Sequence, residues 1–120
     1  MADTEALRAV VRDYFAAIDA NDIEKVLRLF HEGAVYERPG YEAIRGKDEL
    51  RRFYTEKRVI ATGSHDVAGI LVEGTQATAW GSFAGRSHAR KPLEERWCDV
   101  YGFLGVQIAY RRTHFFRPAV

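Results

Sequence analysis

From Leu7 onward, apolar side chains recur at steps of three and four: Leu7, Val10, Val11, Tyr14, Phe15 and Ile18. That spacing gathers them on one face of a helix, which is expected over residues 4–20. Asn21 then offers a side-chain oxygen to the free amides of a second helix. Glu24 follows three residues on, as in a capping box, and Ile23, Val26, Leu27 and Phe30 repeat the period. This second helix is expected to stop at Gly33. Residues 34–38 read as a short strand ended by Pro39-Gly40, because the residue before a proline is pushed out of the helical region. A third helix is expected from Gly46 to about Lys57, with Leu50, Phe53 and Tyr54 facing inward.

After Thr62-Gly63 the pattern changes. β-branched and aromatic residues now come in runs separated by turn signals at Glu73-Gly74 and between Gly85 and Pro92. Strands are expected near 64–73, 75–84, 93–104 and 106–117. Three helices followed by a meander predict one α+β domain over residues 1–120, with the helices covering one face of a curved antiparallel sheet. At 120 residues the chain has room for one core. Eighteen Lys+Arg against 17 Asp+Glu leave a net charge of +1, so no overall field draws nucleic acid or an anionic membrane. The single cysteine, Cys98, has no internal disulfide partner, and the first residues lack the basic start and apolar run of a secretory signal. A cytoplasmic protein is the expectation, without a membrane span of the roughly 18 apolar residues one requires.

Strand alternation places Trp97, Asp99, Tyr101 and Phe103 on one face, so a carboxyl group sits among three aromatic rings. Desolvation favours its neutral acid form, a hydrogen-bond donor, unless a cation holds it ionised; Arg96, Arg111 and Arg38 are the candidate partners. Tyr14 belongs to the apolar face of the first helix, and a buried hydroxyl there needs a partner. His31, His65, His88 and His114 show no metal-ligand spacing, and no phosphate-binding glycine motif opens a helix, so neither a metal nor a cofactor is expected. His65, at the start of the first long strand, is a candidate proton carrier because histidine titrates near neutrality. Alternation alone leaves open which of His65 and Asp66 points inward.

The element order and the run Tyr14-Phe15-Ala16-Ala17-Ile18-Asp19-Ala20-Asn21-Asp22 leading to Leu29-Phe30 resemble the nuclear transport factor 2-like superfamily, and within it ketosteroid isomerase. The resemblance is strongest over residues 7–54 and returns around 97–117. It implies a cone-shaped α+β roll with a deep apolar pocket between helices and sheet, commonly in a homodimer. It also implies that Tyr14 and Asp99 form an oxyanion hole, Asp99 as a protonated acid, with Tyr54 supporting Tyr14. One position departs from that pattern: Arg38 stands where the isomerases carry the proton-shuttling aspartate, and a guanidinium cannot act as a base. Either His65 or Glu37 then takes the proton, or Arg38 binds a substrate carboxylate or enolate.

The expected activity is a cofactor-independent isomerase or cyclase acting on a small apolar or carboxylate-bearing carbonyl compound. Its expected apolar and polar walls are Trp80, Trp97, Tyr101, Arg111 and Phe115. SnoaL-like polyketide cyclases and limonene epoxide hydrolase are further relatives. The hydrolase reading meets Thr113 where that enzyme has an aspartate. The rival class is a non-catalytic small-molecule-binding or dimerisation protein of the same fold, and a dimerisation module predicts a pocket filled by Trp80 and Phe115.

Overall fold

A computed structural model describes residues 3–118. The first helix, α1 (Thr4–Asp19), starts where the Asp3 carboxylate accepts a hydrogen bond from the Ala6 amide at 2.7 Å, a cap that contributes about 1 kcal/mol. Its buried face is the apolar stripe, Leu7, Val10, Val11, Tyr14, Phe15 and Ile18, with Ala17 added. The short helix α2 (Ile23–Arg28) is capped by Asp22, whose Oδ1 accepts from the Lys25 amide, and not by Asn21. Asn21 instead takes the left-handed conformation (φ 56°) that joins the two helices, which asparagine tolerates. Glu24 faces outward to Arg51 rather than closing a capping box.

The second helix stops well before Gly33, because Phe30 already pairs with Ile108: strand β1 runs Phe30–Glu37. A two-residue strand β2 (Ile44–Arg45) pairs with β1, and α3 (Gly46–Arg52) follows. The expected single third helix gives way after Arg52 to a π-helical turn, Phe53–Lys57, closed by the Arg58 amide on the Phe53 carbonyl at 2.8 Å. Such a turn inserts a residue into the helical ladder and rotates the chain beyond it. Four long strands complete the chain: β3 (Ile60–Glu73), β4 (Gln76–Ser87), β5 (Pro92–Leu104) and β6 (Gln107–Phe115). Gly74, at φ 59°, makes the tight β3–β4 turn, a conformation that costs glycine nothing.

The sheet order is β2-β1-β6-β5-β4-β3. It is mixed rather than wholly antiparallel, since β1 and β6 run parallel. One face carries the core. Trp97, Asp99, Tyr101 and Phe103 of β5 are all buried on it, against the stripe of α1 and the inner side chains of α3 and the π turn. Placing Asp99 there puts a fully buried carboxylate at the centre of the helix-covered face. No helix among the described residues is long and apolar enough to cross a membrane.

Candidate active site

Asp99 projects from β5 and meets Arg111 and Thr113 of the neighbouring strand, with which it is in register (Asp99 opposite Thr113, Tyr101 opposite Arg111). Its Oδ2 accepts from Arg111 Nη2 at 2.8 Å, Arg111 Nε at 3.2 Å and Tyr101 Oη at 3.0 Å, and its Oδ1 accepts from Thr113 Oγ1 at 2.6 Å. A carboxyl group that accepts at both oxygens from a guanidinium and two hydroxyls has no role left as a donor. The acid-donor role implied by the resemblance is therefore not the arrangement here; the cation is Arg111. Side chains 6% and 1% exposed make this a buried ion pair. Burial opposes the Arg111 charge, but Asp99 and the surrounding tyrosines outweigh it and hold its pKa well above the ordinary value.

Arg111 also turns toward α1. Its Nη1 donates to Tyr14 Oη at 2.7 Å and more weakly to Tyr54 Oη at 3.4 Å, and the two phenols bond at 2.6 Å. Burial raises the Tyr14 pKa above that of a free phenol, with Arg111 partly offsetting it, so Tyr14 stays neutral and keeps a proton. When Tyr54 donates to Tyr14, the Tyr14 proton is available to a ligand. Tyr54 is held beside Tyr14 by the π turn. Arg38 reaches Asp99 indirectly: its Nη1 donates to Tyr36 Oη, which bonds Thr113 Oγ1 at 2.9 Å, and Thr113 donates to Asp99. Its guanidinium also lies over the rings of Tyr36, Tyr41, Phe53 and Phe115 at 5.3–5.9 Å.

His65 rather than Asp66 points inward. Asp19, at the last turn of α1, accepts from the His65 backbone amide at 2.8 Å and lies 2.6 Å from its Nδ1. A carboxylate at Nδ1 fixes the proton there and leaves Nε2 as the basic nitrogen. The ring packs against Phe15 and Phe83, centroids 4.9 and 4.6 Å away, and against Trp97 at 5.8 Å. Burial lowers the His65 pKa below its ordinary 6.5, and the Asp19 hydrogen bond only partly restores it. At neutral pH the imidazole is an uncharged base.

These groups face one cavity lined by Tyr14, His65, Asp99 and Arg111 together with Arg38, Arg58, Thr113 and the rings of Phe15, Phe83, Trp97 and Phe115. Its volume is about 20 Å³, enough for roughly one water. The deep pocket implied by the resemblance is thus nearly closed by its own walls, of which Arg38, His65 and Phe115 are the half-buried members and mark the mouth. Three expectations fail on position. Trp80 lies opposite Cys98 on the outer face of the sheet, 39% exposed, while its neighbour Ala79 faces inward. The indole covers Gly69 so closely that a Cβ there would come within 2.3 Å of it. Glu37 is exposed and bonds Tyr110, away from the cavity. Tyr101 is behind Asp99 and orients it without lining the cavity. Sequence reasoning missed Asp19 and Arg58. Asp19 ends the α1 stripe and meets its partner 46 residues on, and Arg58 follows the π turn, which no local signal announces. Among the described residues no three His, Cys, Asp or Glu side chains gather as a metal site would need.

Among solved structures, an epoxide hydrolase/cyclase-like enzyme of pyran ring formation in the polyether salinomycin superposes with a TM-score of 0.84 at 16% identity, over 96% of this chain and 94% of its own. An epoxide hydrolase of the limonene type from M. tuberculosis gives 0.79 at 20% identity, over 93% and 83%. A polyketide cyclase assigned as such from Pseudomonas putida gives 0.80 at 18%, over 88% and 87%. At these identities the likeness establishes the fold. No curated protein matches the chain. The model of the SnoaL-like domain matches residues 11–111, from the middle of α1 to the arginine at the centre of the cavity. With that match and the shared architecture, the chain belongs to the SnoaL-like domain family of the nuclear transport factor 2-like superfamily.

Proposed function

We propose that the protein is a cofactor-independent isomerase or cyclase of a small carbonyl compound, with His65 as its base and Tyr14 as the donor to the developing oxyanion. The observation that carries this reading is the convergence of a carboxylate-oriented imidazole and a guanidinium-held phenol on one aromatic cavity. His65 Nε2 takes a proton from the carbon next to the carbonyl, and the electron pair moves onto the carbonyl oxygen. That oxygen receives the Tyr14 hydrogen bond in a site where water is scarce and such bonds count most. Returning the proton to another carbon completes an isomerisation; attack of the enolate carbon on a second carbonyl, whose oxygen then takes the proton back from His65, completes a ring closure. Arg111 contributes by holding Tyr14 and placing a fixed positive charge 4.4 Å from its ring centroid. Entry of substrate requires the walls at Arg38 and Phe115 to part.

The test is turnover of a panel of cyclic enones and linear polyketones by the wild type, His65→Gln and Tyr14→Phe. Removing the base is expected to cost ~10²–10⁴-fold and removing the oxyanion donor ~10²–10³-fold. Turnover that both variants retain refutes the assignment. Ligand binding with no turnover in any form supports instead a passive binding protein. The expected homodimer has its candidate surface on the outer face of the sheet, where exposed Trp80 and Phe116 border an open groove of about 580 Å³ with Cys98 and His114. Sedimentation of the wild type and Trp80→Glu tests it, with a monomeric variant as the expected result and a monomeric wild type as the contrary one.

A further inference from the structure

We infer that Arg58 is a carboxylate-docking residue of the cavity, so that the ligand is an oxo acid, a carbonyl compound that also carries a carboxylate. Arg58 is 9% exposed and lines the same cavity as Tyr14, His65, Asp99 and Arg111. Only its backbone amide is engaged, on the Phe53 carbonyl. Among the described residues its guanidinium has neither a hydrogen-bond acceptor nor a carboxylate partner. The buried acid that lines the cavity differs in this respect: Asp99 is matched by Arg111 and already committed to it.

A guanidinium stays protonated under all ordinary conditions, so one that is largely buried, keeps only slight solvent contact at its nitrogens and touches no anion among the described residues gains when a ligand supplies the charge. Burial indeed depresses the Arg58 pKa, Arg38 adds to the depression, and the neighbouring Tyr14, Tyr54 and Tyr36 oppose it. The planar fork matches a carboxylate through two parallel hydrogen bonds. Beside it the walls carry the rings of Phe15, Phe83, Trp97 and Phe115 and the aliphatic Ile60, while Arg111 is already committed to Asp99 and Tyr14. One carboxylate on a compact apolar body fits this lining. With its acid group on Arg58, such a ligand has its body among the rings between His65 and Tyr14.

The proposal rests on the cavity being the ligand site of the proposed reaction, and it is read by binding so that it stands or falls separately from catalysis. Benzoate and its neutral analogue benzamide are titrated into the intact protein, following the arginine Nε–Hε resonances by NMR and the melting temperature. The expected result is that benzoate binds at least ~10-fold more tightly than benzamide, shifts the Arg58 resonance and raises the melting temperature through mass action. Arg58→Gln removes that preference, and His65→Gln, which disables the base, keeps it. Because Arg58→Gln relieves a buried charge, its melting temperature without ligand equals or exceeds that of the wild type. Equal affinity for benzoate and benzamide in the wild type, or an unchanged benzoate preference in Arg58→Gln, overturns the proposal. So does a large loss of stability in Arg58→Gln, which would reveal a structural role for the side chain. Loss of catalysis in His65→Gln with the benzoate preference intact separates the two readings.

Discussion

The two ends of the cavity are built differently. At the Arg111 end every group is satisfied: Asp99 accepts at both oxygens, and Arg111 spends its donors on Asp99, Tyr14 and Tyr54. At the other end satisfaction is partial. Among the described residues, His65 has one nitrogen on Asp19 and no partner at the other, and the Arg58 guanidinium has no carboxylate partner. Buried polar networks that are complete lend rigidity, whereas incomplete ones mark where a ligand is to finish the bonding. The saturated end is thus the scaffold that aims Tyr14, and the unsaturated end is where proton transfer and recognition take place.

Substitutions sharpen this contrast. The largest effect belongs to the saturated end. Asp99→Asn leaves the Arg111 charge buried without its partner, and unfolding by denaturant is expected to show a loss of about 3–5 kcal/mol. A loss below that of an exposed pair breaks the comparison. Tyr14→Phe removes the acceptor of Arg111 Nη1 and the partner of Tyr54, with an expected loss of about 1–3 kcal/mol in the same measurement.

The unsaturated end responds to pH instead. Because the folded pKa of His65 lies below the unfolded 6.5, the unfolded chain binds the extra proton first as pH falls. This contribution to stability is complete above pH 6.5 and is lost between 6.5 and the lowered folded value. His65→Gln is expected to flatten that part of the stability curve. Asp19→Asn removes the group that raises the His65 pKa, so the imidazole resonance titrates at still lower pH than in the wild type; an upward move contradicts the dyad. The smallest effect is expected far from both ends, at the exposed Glu24–Arg51 pair, where Glu24→Gln leaves the melting temperature unmoved.

Much of this was readable from spacing alone. The 3–4 periodicity of α1 delivered Tyr14 to the core, and period-2 alternation correctly grouped Trp97, Asp99, Tyr101 and Phe103. What spacing cannot convey is which of two neighbours a sheet turns inward. On β4 the inner positions go to Ala77 and Ala79, and the bulky Trp80 goes outward over Gly69, against the general preference for burying an indole. The identity of the cation on Asp99 was likewise beyond reach, since Arg38, Arg96 and Arg111 are equivalent until strand register chooses Arg111. Asp19 and Arg58 stayed hidden because each acquires meaning only through tertiary contact: one at the end of a helix beside a distant strand, the other after a π turn inside what reads as a continuous helix. The parallel pairing of β1 with β6 also depends on a long-range contact, and it is what carries Tyr36 to Thr113 and Arg38 to the cavity.

The central claim is that His65 removes a proton from carbon while Tyr14 receives the resulting oxyanion. Its most direct measurement is exchange of the α-protons of α-tetralone in deuterium oxide, followed by proton NMR with the wild type and His65→Gln. The account predicts protein-dependent exchange that slows at least ~10²-fold in the variant and whose rate is kept at pH 6.5 and falls only as pH drops through the lowered His65 pKa. Equal exchange by the two proteins, or none above the buffer rate with the wild type, contradicts it.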